Sequence, residues 1–96
     1  MTEPLKAEDF RPHLNKTFAV KGGRHALILT HVDQARLGDR GNFRDPFILI
    51  FRGPPGDVLP EGLYTLDAES GPSFELYIIP IHTPARDRQD YQSSFN

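Results

Sequence analysis

Arginine side chains offer the clearest chemistry in this sequence, because a guanidinium group can bind a carboxylate or a phosphate through two parallel hydrogen bonds. Three arginines are spaced four residues apart in a long connection between apolar segments, and a fourth ends an apolar run. Together they could present positive charge to a partner. The candidate interaction residues are Arg36, Arg40, Arg44 and Arg52.

The surroundings of the first three arginines argue against nucleic acid as the partner. Asp33, Asp39 and Asp45 share the same stretch of chain, and the isoelectric point of the chain is about 6.0. Domains that bind nucleic acid are usually basic, with clustered lysine and arginine. A protein partner or self-association is therefore the expected mode of interaction, and nucleic acid is disfavoured.

Arg52 stands directly before a turn sequence, Gly53-Pro54-Pro55-Gly56, which ends one strand and reverses the chain. The prolines lack the amide donors that a phosphate-binding loop needs. In this position Arg52 is expected to form a local salt bridge with Asp57 or Glu61. A bridge to a carboxylate of a partner is the alternative.

Residues for catalysis or metal binding do not occur in the spacings that such sites need. The chain has no cysteine, and its four histidines show neither H-x-x-x-H nor H-x-H spacing. Its serines lie in neither a G-x-S-x-G nor an S-x-x-K motif. The sequence therefore predicts a protein that is not an enzyme and that has no metal and no cofactor.

Length and composition indicate one small domain spanning residues 1–96, with 38% hydrophobic residues to form a core. The first residues lack the apolar run of a secretory signal. No segment approaches the roughly 18 apolar residues of a membrane span. We therefore expect a cytoplasmic protein with no membrane partner.

Charge is distributed unevenly along the chain, although the net charge is only -2. Residues 1–52 contain nine Lys and Arg against six Asp and Glu, whereas residues 53–85 contain five acids and no base. Such asymmetry could give a dipolar surface that docks head to tail with a copy of itself or with a partner. The alternative is that these charges only keep the surface soluble.

The pattern of apolar and turn residues predicts one short helix followed by six strands. Residues 7–15 favour a helical turn with Phe10 and Leu14 on one face, and Pro12 limits its length. Gly22-Gly23 predicts a hairpin with a two-residue primed turn. The predicted strands are residues 17–21, 24–32, 47–51, 62–67, 73–80 and 91–95.

These elements predict an all-β fold, a six-stranded and mostly antiparallel small barrel or sandwich with one short N-terminal helix over an open end. Residues 47–51 are apolar at every position, as in a strand that is covered on both faces or closed into a barrel. Such a barrel could hold a small apolar molecule in its mouth. The last strand, if it lay at a sheet edge, could pair with another chain.

Several short motifs are spread over the chain: Glu8-Asp9-Phe10, Phe51-Arg52-Gly53-Pro54, Leu59-Pro60-x-Gly62-x-Tyr64-x-Leu66, Ile79-Pro80-Ile81 and Tyr91-x-x-x-Phe95-Asn96. Together they resemble a family of short bacterial proteins of uncharacterised function, a domain of unknown function. Members of that family are often encoded beside proteins of the phage-tail-collar type. The resemblance implies an accessory role in a phage-tail-like structure and supplies no catalytic residue. We therefore expect an interaction or assembly protein.

Overall fold

The computed structural model describes residues 5–34, 46–69 and 71–95 and shows a closed barrel of six strands. The strand order around the barrel is β1-β2-β3-β6-β5-β4, and all neighbouring strands are antiparallel. This confirms the predicted all-β, six-stranded antiparallel barrel. The strands are β1 Thr17–Val20, β2 Ala26–Gln34, β3 Phe47–Gly53, β4 Gly62–Ala68, β5 Ser73–Pro80 and β6 Gln89–Phe95.

Side chains alternate between the interior and the outer face of the barrel, as the period of two in a strand requires. In β3, Phe47, Leu49 and Phe51 are buried, whereas Ile48 is 38% exposed. The uninterrupted apolar run therefore supplies the core on one face only. The other buried strand residues that fill the interior are Phe18, Val20, Leu27, Leu29, Leu66, Ala68, Phe74, Leu76, Ile78 and Tyr91.

The helix α1, Ala7–Phe10, and a following 3-10 turn at Arg11–His13 lie at one end of the barrel. The Phe10 ring is fully buried, and its centroid lies 4.6 Å from that of Phe74, 5.8 Å from that of Phe95 and 6.0 Å from that of Phe47. These three rings stand where β5 begins, β6 ends and β3 begins. The helix therefore covers the barrel end, as the sequence predicts.

Closure at this end depends on Phe10 because β5 and β6 pair only near the opposite end. Their ladder consists of Ile79 with Gln92 and Pro80 with Tyr91. Beyond these pairs no backbone ladder joins the two strands, and the Phe10 ring contacts Phe74 of β5 and Phe95 of β6 on the interior side. A side chain from the helix thus plugs the barrel end where the two strands are not paired.

Residues 54–61 fold over the opposite end. Leu59 is buried there, and its N–H donates to the Tyr91 hydroxyl at 2.9 Å. Gly53 lies beneath this segment, where an added Cβ would be 2.8 Å from Leu27 Cδ2 and 3.1 Å from Tyr91 Cε1. Glycine at this position therefore permits close packing of the core in addition to ending β3.

The hairpin between β1 and β2 differs from the predicted two-residue primed turn. The Val20 N–H donates to the His25 carbonyl at 3.0 Å, so residues 21–24 form the connection. Gly22 has a φ of 80° and the Gly23 N–H bonds back to the Val20 carbonyl. This is the position of a four-residue β-turn that favours glycine. The predicted two-residue turn is wrong.

The last strand is not at a sheet edge. β6 pairs with β3 along its whole length and, on its other side, with β5 through Tyr91 and Gln92. On the β5 side residues 93–95 have no ladder partner among the described residues, so an open edge is limited to these three residues. Pairing of another chain along the length of this strand therefore has no support. Within the residues that the structure describes, no helix has the length and hydropathy needed to cross a membrane.

Candidate functional site

A polar groove on the outer face of β2, β3 and β6 contains the side chains best suited to bind an anion. It has a volume of about 420 Å³, which lies in the range of small-molecule sites. We call it the arginine groove. Its lining residues are Asn15, Thr30, His31, Ile50, Arg52, Arg88 and Asp90.

Arg52 belongs to the groove because alternation along β3 directs it outward. Its neighbours Phe51 and Gly53 are buried, whereas Arg52 is exposed. Across the ladders it is paired with Ile28 of β2 and Asp90 of β6. The register of three strands therefore determines which residues surround this guanidinium.

A β-bulge in β2 brings two more polar residues to the groove. Leu29 pairs with Phe51 and His31 pairs with Ile50, so Thr30 is the extra residue. The Thr30 hydroxyl donates to the Ile50 carbonyl at 3.1 Å, and Nδ1 of His31 lies 2.9 Å from Thr30 Oγ1. Because the hydroxyl proton goes to the carbonyl, Nδ1 is the donor in the second contact. Nε2 of His31 can then contact a ligand.

Asn15 lines the groove from the connection between the 3-10 turn and β1. Its φ is 65°, in the left-handed region of the backbone, and among the described residues no other non-glycine residue has a positive φ. Asparagine tolerates this conformation better than most residues. The Asn15 N–H donates to the Leu29 carbonyl at 2.7 Å, and this bond fixes the segment against β2.

The balance of charge in the groove is positive. Nε of Arg88 donates to both carboxylate oxygens of Asp90, at 3.0 and 3.2 Å. The Asp90 N–H is bound to Thr83 Oγ1 at 2.9 Å, which holds the acid in place. Arg52 forms no ion pair with any residue that the structure describes. The groove lining therefore contains one carboxylate, that of Asp90, and two guanidinium groups, those of Arg52 and Arg88.

The predicted salt bridge from Arg52 to Asp57 or Glu61 is wrong. Asp57 Oδ2 lies 2.8 Å from Nη2 of Arg24, and its carbonyl contacts the His25 ring at 3.0 Å. Glu61 accepts a hydrogen bond from a tyrosine hydroxyl instead. The physical reason is that the chain after β3 turns over the barrel end towards the β1–β2 hairpin, while Arg52 points outward.

The sequence-predicted interaction residues have different outcomes. Arg52 lies in the groove, whereas Arg36, Arg40 and Arg44 lie outside the described residues. Sequence reasoning missed Arg88 as a candidate. The alternation of charges in Arg86-Asp87-Arg88 was a signal, but only the pairing of Asp90 with Arg52 in the β3–β6 ladder brings Arg88 into the groove.

A second and more apolar cavity lies at the barrel end that the helix covers. Its volume is about 400 Å³. The stacked rings of Phe47 and Phe95 stand 4.5 Å apart on one side of it. The lining residues are Asp33, Gln34, Pro46, Phe47, Ile48, Ser94 and Phe95.

Comparison with known proteins places both cavities within one family match. The family model described as "Domain of unknown function (DUF6916)" matches residues 5–95. This range includes α1, all six strands and both arginines of the groove. No curated protein and no solved structure gives a significant match.

Proposed function

We propose that this chain, which belongs to the DUF6916 family, is a non-enzymatic interaction or assembly protein that binds an acidic protein surface through the arginine groove. One observation carries the proposal. Arg52 is exposed and has no ion pair among the residues that the structure describes, and it lies beside the second guanidinium of Arg88. The resemblance drawn from the sequence extends this role to an accessory of a phage-tail-like structure.

The donors in the groove suit a carboxylate. Both hydrogen bonds from Arg88 to Asp90 use Nε, so its two Nη nitrogens can donate to a second anion. Arg52 offers a complete guanidinium fork, which matches the geometry of a carboxylate. Hydrogen bonds that involve charged groups contribute about 1.5–3 kcal/mol each. Two such contacts total about 3–6 kcal/mol, which corresponds to a Kd between about 6 mM and about 40 μM.

Binding fits the groove better than catalysis does. The 2.9 Å contact between Thr30 and His31 has the length of a nucleophile–base hydrogen bond. Its direction is unsuitable, however, since the Thr30 hydroxyl donates to the Ile50 carbonyl. A general base must accept the proton of the nucleophile. We therefore propose that these contacts hold the His31 ring in place on the groove wall and take no part in catalysis.

A labelled hexaglutamate peptide tests this function, with hexaglutamine as the matched neutral peptide. Fluorescence anisotropy should show saturable binding of hexaglutamate with a Kd between about 6 mM and about 40 μM. Binding should weaken as salt is raised, because exposed charges are screened within about 3 Å at 1 M salt. Equal binding of the two peptides, or none by hexaglutamate, would contradict the proposal.

The apolar cavity at the helix-covered end favours a second candidate function, the binding of a small uncharged molecule. Its volume of about 400 Å³ lies within the range of ligand sites. The neutral dye Nile red should become fluorescent on binding there, and Ile48→Gln should reduce the signal several-fold. Val58→Gln alters another exposed apolar residue and serves as the control. An unchanged signal in Ile48→Gln would exclude this cavity as the dye site.

A further inference from the structure

The outer face of β4 and β5 carries an exposed apolar pair. Leu63 and Tyr77 are directly opposite each other in the ladder, and they are 60% and 47% exposed. Isolated exposed apolar residues are ordinary, but adjacent ones with a polar rim are typical of interaction sites. Tyrosine in particular is enriched at the centres of protein interfaces.

Carboxylates surround this pair. Glu61 accepts a hydrogen bond from the Tyr77 hydroxyl at 2.5 Å, and this bond is the main cause of the raised pKa of Tyr77. Glu75 and Asp67 lie on the same outer face, paired with Thr65 and Ser73. None of the three acids forms an ion pair with a residue in the described ranges. We call Glu61, Leu63, Asp67, Glu75 and Tyr77 the acidic face.

The acidic face and the arginine groove point in opposite directions. In the strand order β1-β2-β3-β6-β5-β4, the strands β3 and β4 are three positions apart in a ring of six. Arg52 on β3 and Leu63 on β4 therefore lie on opposite sides of the barrel. A contact between the two surfaces can form only between separate molecules.

We propose that the acidic protein surface recognised by the arginine groove is the acidic face of a second copy of this chain. This inference rests on the proposed function and names the partner. The charges are complementary, since an excess of guanidinium groups would meet three carboxylates that form no ion pair with any described residue. Apolar groups lie on both sides as well, with Ile50 in the groove and Leu63 on the acidic face.

The opposite placement of the two surfaces determines the type of assembly. Each copy that docks its acidic face into a groove still presents its own groove on the far side. Such a contact is heterologous, so it forms a ring if the rotation between copies closes and a filament if it does not. It does not stop at a two-fold symmetric dimer.

Light scattering behind a sizing column tests the self-association of the wild-type chain. At low salt the mass should exceed the 10.9 kDa of one chain and should rise with concentration. At high salt it should fall to the monomer, because the contact is largely electrostatic. A monomer at every concentration that still binds hexaglutamate would overturn this inference and leave the proposed function intact. A monomer that also fails to bind the peptide would overturn both.

Two blocking variants test which surfaces meet. Arg52→Gln combined with Arg88→Gln removes the groove, and Leu63→Arg places a positive charge at the centre of the acidic face. Each variant alone should be monomeric. Their equimolar mixture retains one intact groove and one intact acidic face, so it should give twice the mass of one chain without further growth. A mixture that remains monomeric, or either variant alone assembling like the wild type, would exclude the groove-to-face contact.

Discussion

Phe10→Ala is expected to lower the free energy of unfolding by about 3–5 kcal/mol. The ring is fully buried among Phe47, Phe74 and Phe95. It plugs the barrel end where β5 and β6 are not paired, so its removal leaves a cavity in the core. Domains of this size have about 5–15 kcal/mol of stability in total. The loss should therefore lower Tm by more than about 10 °C.

Thermal and urea denaturation, followed by circular dichroism, measure this effect. Val58→Ala is the matched control, because it truncates an exposed apolar side chain and should change stability by no more than about 0.5 kcal/mol. Hydrogen exchange should also accelerate at the start of β5 and the end of β6 in Phe10→Ala. A loss below about 1 kcal/mol would show that the Phe10 ring does not seal the barrel end.

The double variant Arg52→Gln with Arg88→Gln is expected to weaken the binding of hexaglutamate at least 100-fold. Each charge-assisted hydrogen bond is worth about 1.5–3 kcal/mol, and about 1.4 kcal/mol is a factor of ten in Kd. The substitution also reverses the sign of the groove, since Asp90 then remains as its fixed charge. The acidic peptide would be repelled from the site that attracts it in the wild type.

Anisotropy titrations of the wild type and the double variant measure this loss. Lys21→Gln is the control, because Lys21 is exposed and lies outside the groove lining. It removes one positive charge and should change the affinity by less than about threefold. Equal losses in the control and the double variant would show that the peptide responds to overall charge alone.

The helix and strands that are specified by the residue pattern within their own segment could be predicted from the sequence. Alternation in residues 73–80 predicts the bounds of β5 and its buried residues Phe74, Leu76 and Ile78, which the structure confirms. The spacing of Phe10 and Leu14 predicts a helical turn over the barrel end. These patterns depend only on the period of the element and on which face is apolar.

Features that depend on tertiary contacts could not be predicted. The Gly22-Gly23 pair suggests a two-residue turn, but the Lys21 N–H bonds to the Thr65 carbonyl of β4, which takes Lys21 out of the hairpin ladder. Likewise the sequence predicts that Arg52 forms a salt bridge with Asp57 or Glu61, which are close to it along the chain. The register between β3 and β6 places it opposite Asp90 instead.

The candidate site was predictable only in part for the same reason. The sequence indicates Arg52 as a candidate interaction residue and shows an excess of acidic residues after it. The sides of the barrel on which these side chains lie depend on the strand order. Closure of the barrel places the acids Asp67 and Glu75 on the side away from Arg52. The bulge at Thr30 has no local signal in β2, and it brings both Thr30 and His31 to the groove.

The central claim is that the arginine groove is the interaction surface. The most direct test follows the side-chain Nε–H resonances of ¹⁵N-labelled arginine while hexaglutamate is added. The Arg52 and Arg88 resonances should shift together and saturate at one Kd, whereas that of Arg24, which is bound to Asp57, should not move. Shifts at other arginines with Arg52 and Arg88 unchanged would contradict the account.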